Sequence, residues 1–488
     1  MSGAPLPPAV ADGEWHRVHP LTPAVHSWQA LVVLIVIAVQ DVGQSALRSV
    51  GGGDAGPAPD ASWLRAGLPI VLGIALVVVG LLVLSWRLTR YRVTAEALEL
   101  QHGVIVRRQR RARLDRLQAV DLVQPLVARI FGLARLKLEV AGGAGSSIDL
   151  SYLTDTQARQ LRNHLLAAAA GLEYETPQAP EAPERPVAEV PVERLVASIV
   201  LDGGVLTGVV IGAGAIVLGL VTAGVSAAAG VLPIGVGLVT YVWRRFAGGF
   251  GFTATVSPDG LRLRHGLLER RAQTVPPGRV QAVRLSQPLL WRIPGWWRVV
   301  VNVAGYAGRA DNQHTENELL PVGTREQAVA LLALVLPDLG VEQGEDALAV
   351  VLAGLDGDNR RPDGYLPAPP KAFWVDPVGW RRTGVRVTHE ALLVRHGRLR
   401  RNLDVVPHAR TQSCALSQGP LQRALGVASL QVHSTRGPVD PVVPHLRVAD
   451  AARLLDDQAV RARRARRLAL PDRWLERPDA APPSAASA

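Results

Sequence analysis

The sequence predicts a membrane protein with four transmembrane α-helices in two hairpins and three small antiparallel β-domains, each closed by a C-terminal helix. Three observations lead there. Uncharged apolar stretches fall in two pairs, one arginine-rich line is written three times, and each copy of that line is flanked by residues that alternate apolar and polar. At 488 residues the chain exceeds one ordinary soluble core, so several units are expected. Lys+Arg number 53 against 42 Asp+Glu, a net charge of +11 carried almost wholly by arginine, and 48% of residues are hydrophobic. That combination favours an anionic membrane face over nucleic acid. The single cysteine, Cys414, excludes an intramolecular disulfide and a cysteine-based zinc site.

Residues 1–24 lack a basic segment running straight into an apolar one, so no cleaved signal is expected and the segment is read as cytosolic. The first hairpin, 25–88, pairs the apolar run Trp28–Val39 with Gly67–Trp86 across a Gly/Pro-rich connector. Crossing hydrocarbon takes about 20 apolar residues, which the second run supplies. The second hairpin, 195–245, is apolar apart from Asp202, an intramembrane acid and therefore a residue to watch. Gly204, Gly208 and Gly212 share one face of its first helix, where they let a neighbouring backbone approach; general packing within the bundle is the simpler reading, a homodimer face the sharper one. Arg87, Arg90 and Arg92 follow the first hairpin, and Arg244 with Arg245 closes the second. Positive flanks stay cytoplasmic, so the domains are expected in the cytosol, although Arg48 and Arg65 lie on the other side.

The repeated line holds its spacing without a gap. His-Gly recurs at His102-Gly103, His265-Gly266 and His396-Gly397; thirteen residues after each glycine stands Arg116, Arg279 or Arg410. Gln118, Gln281 and Gln412 follow, then Gln124, Gln287 and Gln418, and finally Gly132, Gly295 and Gly426. Repetition at this register marks a copied module. Alternation on both sides of His-Gly makes it a hairpin tip, glycine supplying the positive φ of a tight turn. A short helical stretch, another strand and an amphipathic helix close each copy, which points to a small barrel or sandwich capped by a helix. The domains are bounded at 89–170, 246–337 and 380–468. Between them lie a Pro/Glu spacer, 171–194, and a linker, 338–379. A disordered tail, 469–488, follows.

Span pairs preceding a Gly…Arg-x-Gln…Gln…Gly line resemble the bacterial pleckstrin-homology-like membrane proteins of the YdbS/YdbT type. The matching residues are Gly103, Arg116, Gln118, Gln124 and Gly132 with their counterparts in the other copies. The resemblance covers about residues 25–465 and implies PH-like barrels on the cytosolic face of a bacterial plasma membrane, with no established catalytic activity. One departure is that no span pair precedes the third copy, whose approach is too short to cross.

Site expectations follow. Arg107, Arg108, Arg110, Arg111 and Arg113 crowd one strand of the first copy; Arg262, Arg264, Arg270 and Arg271 do so in the second, and Arg395, Arg398, Arg400 and Arg401 in the third. Arginine's planar fork suits phosphate, so these are lipid-headgroup candidates, against a plainer reading as a basic surface drawn to the anionic leaflet. The Arg-x-Gln signature reads as a hydrogen-bonded fold element. His102, His265 and His396 stand one per copy at the hairpin tips, too few in any one place to argue for a metal site. The cluster Trp291, Trp296 and Trp297 suits a membrane interface, and five arginines in 461–467 suit anionic headgroups. No hydrolase, zinc-protease or P-loop motif occurs, so neither enzyme activity nor a cofactor is expected. The reading is a non-enzymatic membrane scaffold binding anionic inner-leaflet lipid or an unidentified protein partner. A homo-oligomer is compatible, nucleic acid is not expected, and a transporter- or channel-associated protein with regulatory domains is the alternative.

Overall fold

The computed structural model describes residues 13–22, 83–94, 96–103, 107–114, 117–140, 148–169, 185–223, 228–257, 260–275, 277–304, 317–360 and 363–468, with Gly73, Val77, Gly80 and Leu81 besides. They fall into two compact units, 1–140 with 147–179, and 141–146 with 180–488. The expected first membrane hairpin lies outside the described residues except near its end, where residues 83–88 are helical. Arg116, residues 171–184 of the spacer and the 469–488 tail lie outside them too.

In the first unit, β1 (His16–Arg17), β2 (Arg90–Val93), β3 (Ala97–His102) and β4 (Arg108–Arg113) form one antiparallel sheet. β5 (Leu117–Pro125), β6 (Leu133–Val140) and β7 (Ile148–Thr154) pair antiparallel in sequence. Between β5 and β6 sits α1 (Leu126–Ile130), and α2 (Asp155–Ala169) closes the unit. The alternation in β6 buries Ala134, Leu136 and Leu138 completely, as a half-buried strand requires.

The second unit repeats this scheme twice. β8 (Arg185–Glu189) is followed by α3 (Val192–Val200), α4 (Gly203–Ala223) and α5 (Ala228–Gly249). The sheet then resumes with β9 (Thr253–Ser257), β10 (Gly260–His265) and β11 (Glu269–Val275). β12 (Val280–Pro288), β13 (Trp297–Val303) and β14 (Glu318–Gly323) follow, closed by α6 (Arg325–Val335). Thr324 and Gln327 cap α6 reciprocally, Thr324 Oγ1 accepting from Gln327 N and Gln327 Oε1 from Thr324 N. After α7 (Ala347–Asp356) come β15 (Leu366–Pro367), β16 (Gly384–Val387), β17 (Ala391–His396) and β18 (Arg400–Pro407). The last three strands are β19 (Ser413–Ser417), β20 (Val427–His433) and β21 (Val442–Arg447), with α8 (Pro420–Leu425) between the first two and α9 (Val448–Leu468) at the end. Among the described residues each copy is thus four strands, three strands and a closing helix. Leu392, Val394 and Val406 pack against Leu430, Val432, Val443 and Ala451 in the core of the third.

Three features differ from expectation. The span expected from Leu195 is broken: α3 and α4 meet at a 50° bend. Asp202 lies in that break, accepting from Gly204 N (2.9 Å) and Val205 N (3.4 Å) as the N-cap of α4. A carboxylate there satisfies orphan amides of the first turn, so Asp202 opens a helix rather than sitting within one. Among the described residues no single helix meets the length and hydropathy needed to cross a bilayer; the bent pair α3–α4 meets them only together, and the expectation of four spans goes beyond what is seen. Second, strands occupy both segments read as linkers, β8 in the spacer and β15 in 338–379.

Third, the second and third copies are not separate barrels. β12 pairs antiparallel with β18, Val283↔Val405 through Pro288↔Arg400, so that one seven-stranded sheet runs through both. Arg284 grips Asp404 across this seam with two hydrogen bonds, 2.6 and 2.7 Å. Buried Asn302 adds a second tie, donating to Val439 O (2.6 Å) and accepting from Val439 N (2.9 Å).

Candidate functional site

The three His-Gly pairs are hairpin tips, with positive φ at Gly103 (120°), Gly266 (108°) and Gly397 (75°). In the second copy the tip does more than turn. Gly266 N donates to Phe250 O (2.8 Å), Leu267 N to Ala247 O (2.9 Å), and His265 Nδ1 lies 2.9 Å from Gly248 O. The tip therefore caps the C-terminal carbonyls of α5, groups that a helix end otherwise leaves orphaned. Burial holds the His265 ring below its ordinary pKa, so Nδ1–H of a neutral ring is the donor.

The helix so capped, α5, and its neighbour α4 are apolar on the outside. Val210, Val217, Leu218 and Val221 of α4 and Val236 and Val239 of α5 are all exposed. A bare apolar hairpin of this extent calls for a covering phase. Inside it, a Cβ at Gly208 would come 3.0 Å from Leu238 Cδ1 and one at Gly212 would lie 3.9 Å from Ile234, so these two glycines face α5. Gly204 instead meets the Asp202 carboxylate.

Where the hairpin joins the sheet, a compact ionic group is buried. Arg245 Nη1 donates to Glu318 Oε1 (3.1 Å), Arg298 Nε lies 3.9 Å from the same oxygen, and Tyr241 Oη reaches Asp202 at 3.5 Å. The Arg298 guanidinium stacks over Trp291, and its pKa is pushed down to about 10 by burial and then by neighbouring Arg245. Trp291 and Trp297 are themselves buried, Trp291 Nε1 donating to Ser198 O of α3. Trp291 fastens the domain to α3, and neither it nor Trp297 is exposed at an interface, contrary to the sequence expectation.

The headgroup candidates separate by exposure. Arg107, Arg108, Arg110 and Arg111 are exposed along and beside β4, with Arg111 Nη2 3.5 Å from Glu96. In the second copy Arg264 and Arg270 are exposed and Arg262 half-buried, while Arg271 is held by Glu269 at 3.2 Å. Arg113 is exposed beside them in the first copy. Arg395 departs from expectation: it is fully buried, bonded to Asp363 and Asn359 and lying over the Tyr365 ring. Arg398 and Arg400 stand exposed at the third tip, flanking exposed Leu399, and Arg401 is within 3.5 Å of Asp356.

At the seam arginines of two copies converge. Arg292 Nη2 donates to the carbonyl of Arg398, and the Arg292 pKa is lowered by burial and then by Arg401 and Arg398. While Arg401 is paired with Asp356, Arg292 and Arg398 thus stand together at the seam as a positive patch. Exposed Ile293 and Leu399 stand beside it. Nothing local in the sequence pairs Arg292 with the next copy's tip.

The repeat signature makes hydrogen bonds within the fold. Gln287 Nε2 donates to Trp296 O (3.2 Å) and Gln418 Nε2 to Val427 O (3.0 Å), in each case the residue after the positive-φ Gly295 or Gly426. Gln124 donates to the Asp155 carboxylate at the start of α2, near Gly132 with its φ of 65°. Gln281 bonds the carbonyl of Arg279, Arg410 that of Gly278, and Gln412 N donates to His433 O. Gln118 lies on β5. Cys414 is half-buried on β19, its thiol pKa raised by burial. Among the described residues no group of His, Cys, Asp and Glu is placed to hold a metal.

Comparison with known proteins agrees with this architecture. The family described as Bacterial PH domain matches residues 35–169, 200–339 and 329–461. The chain is 22% identical over 312 residues to the UPF0699 transmembrane protein YdbT of Bacillus subtilis (strain 168). That match covers 56% of this chain and 62% of the relative, so the chain spans less than two thirds of the relative's length. No solved structure matches. With three matches that together take in most of its length, the chain belongs to the bacterial PH domain family.

Proposed function

We propose that the protein is a non-enzymatic membrane scaffold whose α4–α5 hairpin lies in the bilayer and whose PH-like domains meet the cytoplasmic leaflet of a bacterial plasma membrane. There they engage anionic lipid headgroups, a protein partner, or both. The observation that carries the reading is directional. The chain leaves β8 and re-enters β9 at the sheet end where Glu189 opposes Thr253 and Thr253 opposes Arg264, next to the His265-Gly266 tip. In the third copy the same end carries Arg398, Leu399 and Arg400. Membrane proximity thus puts exposed arginine where phosphate is dense, each such charge contributing about 1 kcal/mol near an anionic surface. The transporter alternative needs convergent polar groups along the hairpin, and Asp202 supports it little, being committed to a helix cap.

The test is hydrogen exchange of the full chain in nanodiscs. Exchange at residues 396–401 is expected to slow when anionic lipid replaces zwitterionic lipid, and Arg398→Gln with Arg400→Gln should cancel the difference. Equal exchange in both lipids would remove the headgroup reading. Release of the chain from membranes by alkaline carbonate would remove the anchor.

A further inference from the structure

In this fold the segments read as membrane-embedded are insertions at one fixed point, between the first and second strands of a copy. In the second copy α3, α4 and α5 lie between β8 and β9. In the first copy residues 18–89, which include the expected first hairpin, lie between β1 and β2. The corresponding point of the third copy lies between β15 and β16, where Pro367 opposes Gly384. What stands there is residues 368–383, APPKAFWVDPVGWRRT. We propose that this loop is an interfacial membrane anchor, a short amphipathic substitute for the missing third hairpin, which dips its aromatic side chains into the headgroup region of the bilayer.

Composition and exposure both point to a lipid surface. Trp374 is 70% exposed, Phe373 43% and Val378 48%, an apolar group open to its surroundings. Phe373 and Trp374 pack edge to face at 5.5 Å, so they form one wedge. Lys371 flanks it, and Arg381 lies over the Trp380 ring. Tryptophan beside basic residues is the composition favoured at a membrane–water interface.

The loop is also held in place. Arg382 donates to the carbonyls of Gly354, Leu355 and Gly357 at the end of α7. Asn359 donates to the carbonyls of Trp380 and Thr383, both at 2.9 Å. Ala372 is buried, and Gly379 N closes a turn on the Asp376 carboxylate. A wedge fixed by its own stem loses little freedom on contact with lipid. Its direction is set as well, because Gly384 opposes Arg395 and the loop therefore leaves the sheet beside the 396–400 tip. That is the end that, in the second copy, meets α5.

The proposal rests on the reading that α4–α5 lies in the bilayer, and the test separates the two. Lys371 and Lys137 are the only lysines in the sequence, and Lys137 is mostly buried on β6. A lysine-specific protease acting on the full chain in nanodiscs containing anionic lipid therefore reports on the loop. Slow cleavage at Lys371 is expected for the native chain, and cleavage at least severalfold faster for Phe373→Ser with Trp374→Ser in the same discs. Resistance at Lys137 controls for the first unit, and an unchanged thermal unfolding midpoint shows that the variant is folded as a whole. As a second measurement, a fluorophore on Val378→Cys in a Cys414→Ser background should be quenched by lipids carrying a nitroxide near the headgroup. Native cleavage as fast as the variant's, or an unquenched fluorophore, in discs that do contain the chain would overturn the anchor. Failure of the chain to enter discs at all would instead sink the hairpin reading.

Discussion

The second and third copies share one strand plan, yet equivalent positions have opposite environments. Arg264 and Arg395 each stand immediately before a histidine and a glycine. Arg264 is exposed, whereas Arg395 is fully enclosed among Asp363, Asn359 and the Tyr365 ring. His265 is buried against the end of α5, whereas His396 reaches Asp404 at 3.2 Å. The difference lies in what each tip adjoins. In the second copy it is a long apolar hairpin; in the third it is the short helix α7, whose last carbonyls Arg382 and Arg395 satisfy. A copied module keeps its turn and changes the chemistry around it.

The sharpest way to break the comparison is at the seam that joins the two copies. Asp404 is fully buried; burial alone would raise its pKa, but hydrogen bonds from Arg284 and His396 outweigh that and hold it below the usual range. Asp404→Ala strands Arg284, and losing one partner of a buried pair costs about 3–5 kcal/mol. Denaturant unfolding of the detergent-solubilised chain should show that loss; a change under about 1 kcal/mol would mean the seam does not couple the copies.

Next comes the arginine pair. Arg395→Leu should destabilise by about 3 kcal/mol, because Asp363 and the Ala353 carbonyl lose their donor. Arg264→Leu should stay within about 0.5 kcal/mol, as exposed substitutions do. Similar losses at both positions would erase the distinction between them.

How far this was visible in advance depends on range. The His-Gly tips, the closing helices and the threefold repeat are local patterns, legible because glycine and alternation encode a turn and a strand within a few residues. Asp202 was ambiguous, since a lone carboxylate in an apolar run is either an intramembrane charge or a cap, and only the break before Gly203 decides. β8 and β15 escaped notice because prolines at Pro186 and Pro367 read as linker, while a terminal strand tolerates them. The seam, buried Arg395 and buried Trp291 depend on partners far along the chain, Trp291 on Ser198 and Arg284 on Asp404. No local pattern encodes such pairs.

Glycine at the tips gives a smaller effect. A Cβ at Gly266 would collide with the carbonyl of Glu269, and one at Gly397 with that of Arg400. Both glycines also carry positive φ. Gly266→Ala and Gly397→Ala should each cost about 1–3 kcal/mol from backbone strain. The second-copy change should cost more, because Gly266 N also caps α5. Equal losses in thermal unfolding would mean that the capping bond adds nothing.

The smallest expected effect is a pH dependence that belongs to one histidine. Burial lowers the His265 pKa from 6.5, with a further contribution from Arg271, against the opposing hydrogen bond to Gly248. The folded state therefore resists a proton that the unfolded chain accepts. The sign follows from linkage: stability is fully present above pH 6.5 and falls as pH drops from there through the folded-state pKa. Each unit of separation contributes about 1.4 kcal/mol. His265→Gln keeps a donor near Gly248 but cannot titrate, so its stability should be flatter across that window than the native chain's. His396→Gln serves as the contrast, since that ring faces a carboxylate instead of a helix end. If the slope below pH 6.5 survives His265→Gln unchanged, the acid sensitivity lies elsewhere and the tip does not report on its contact with α5.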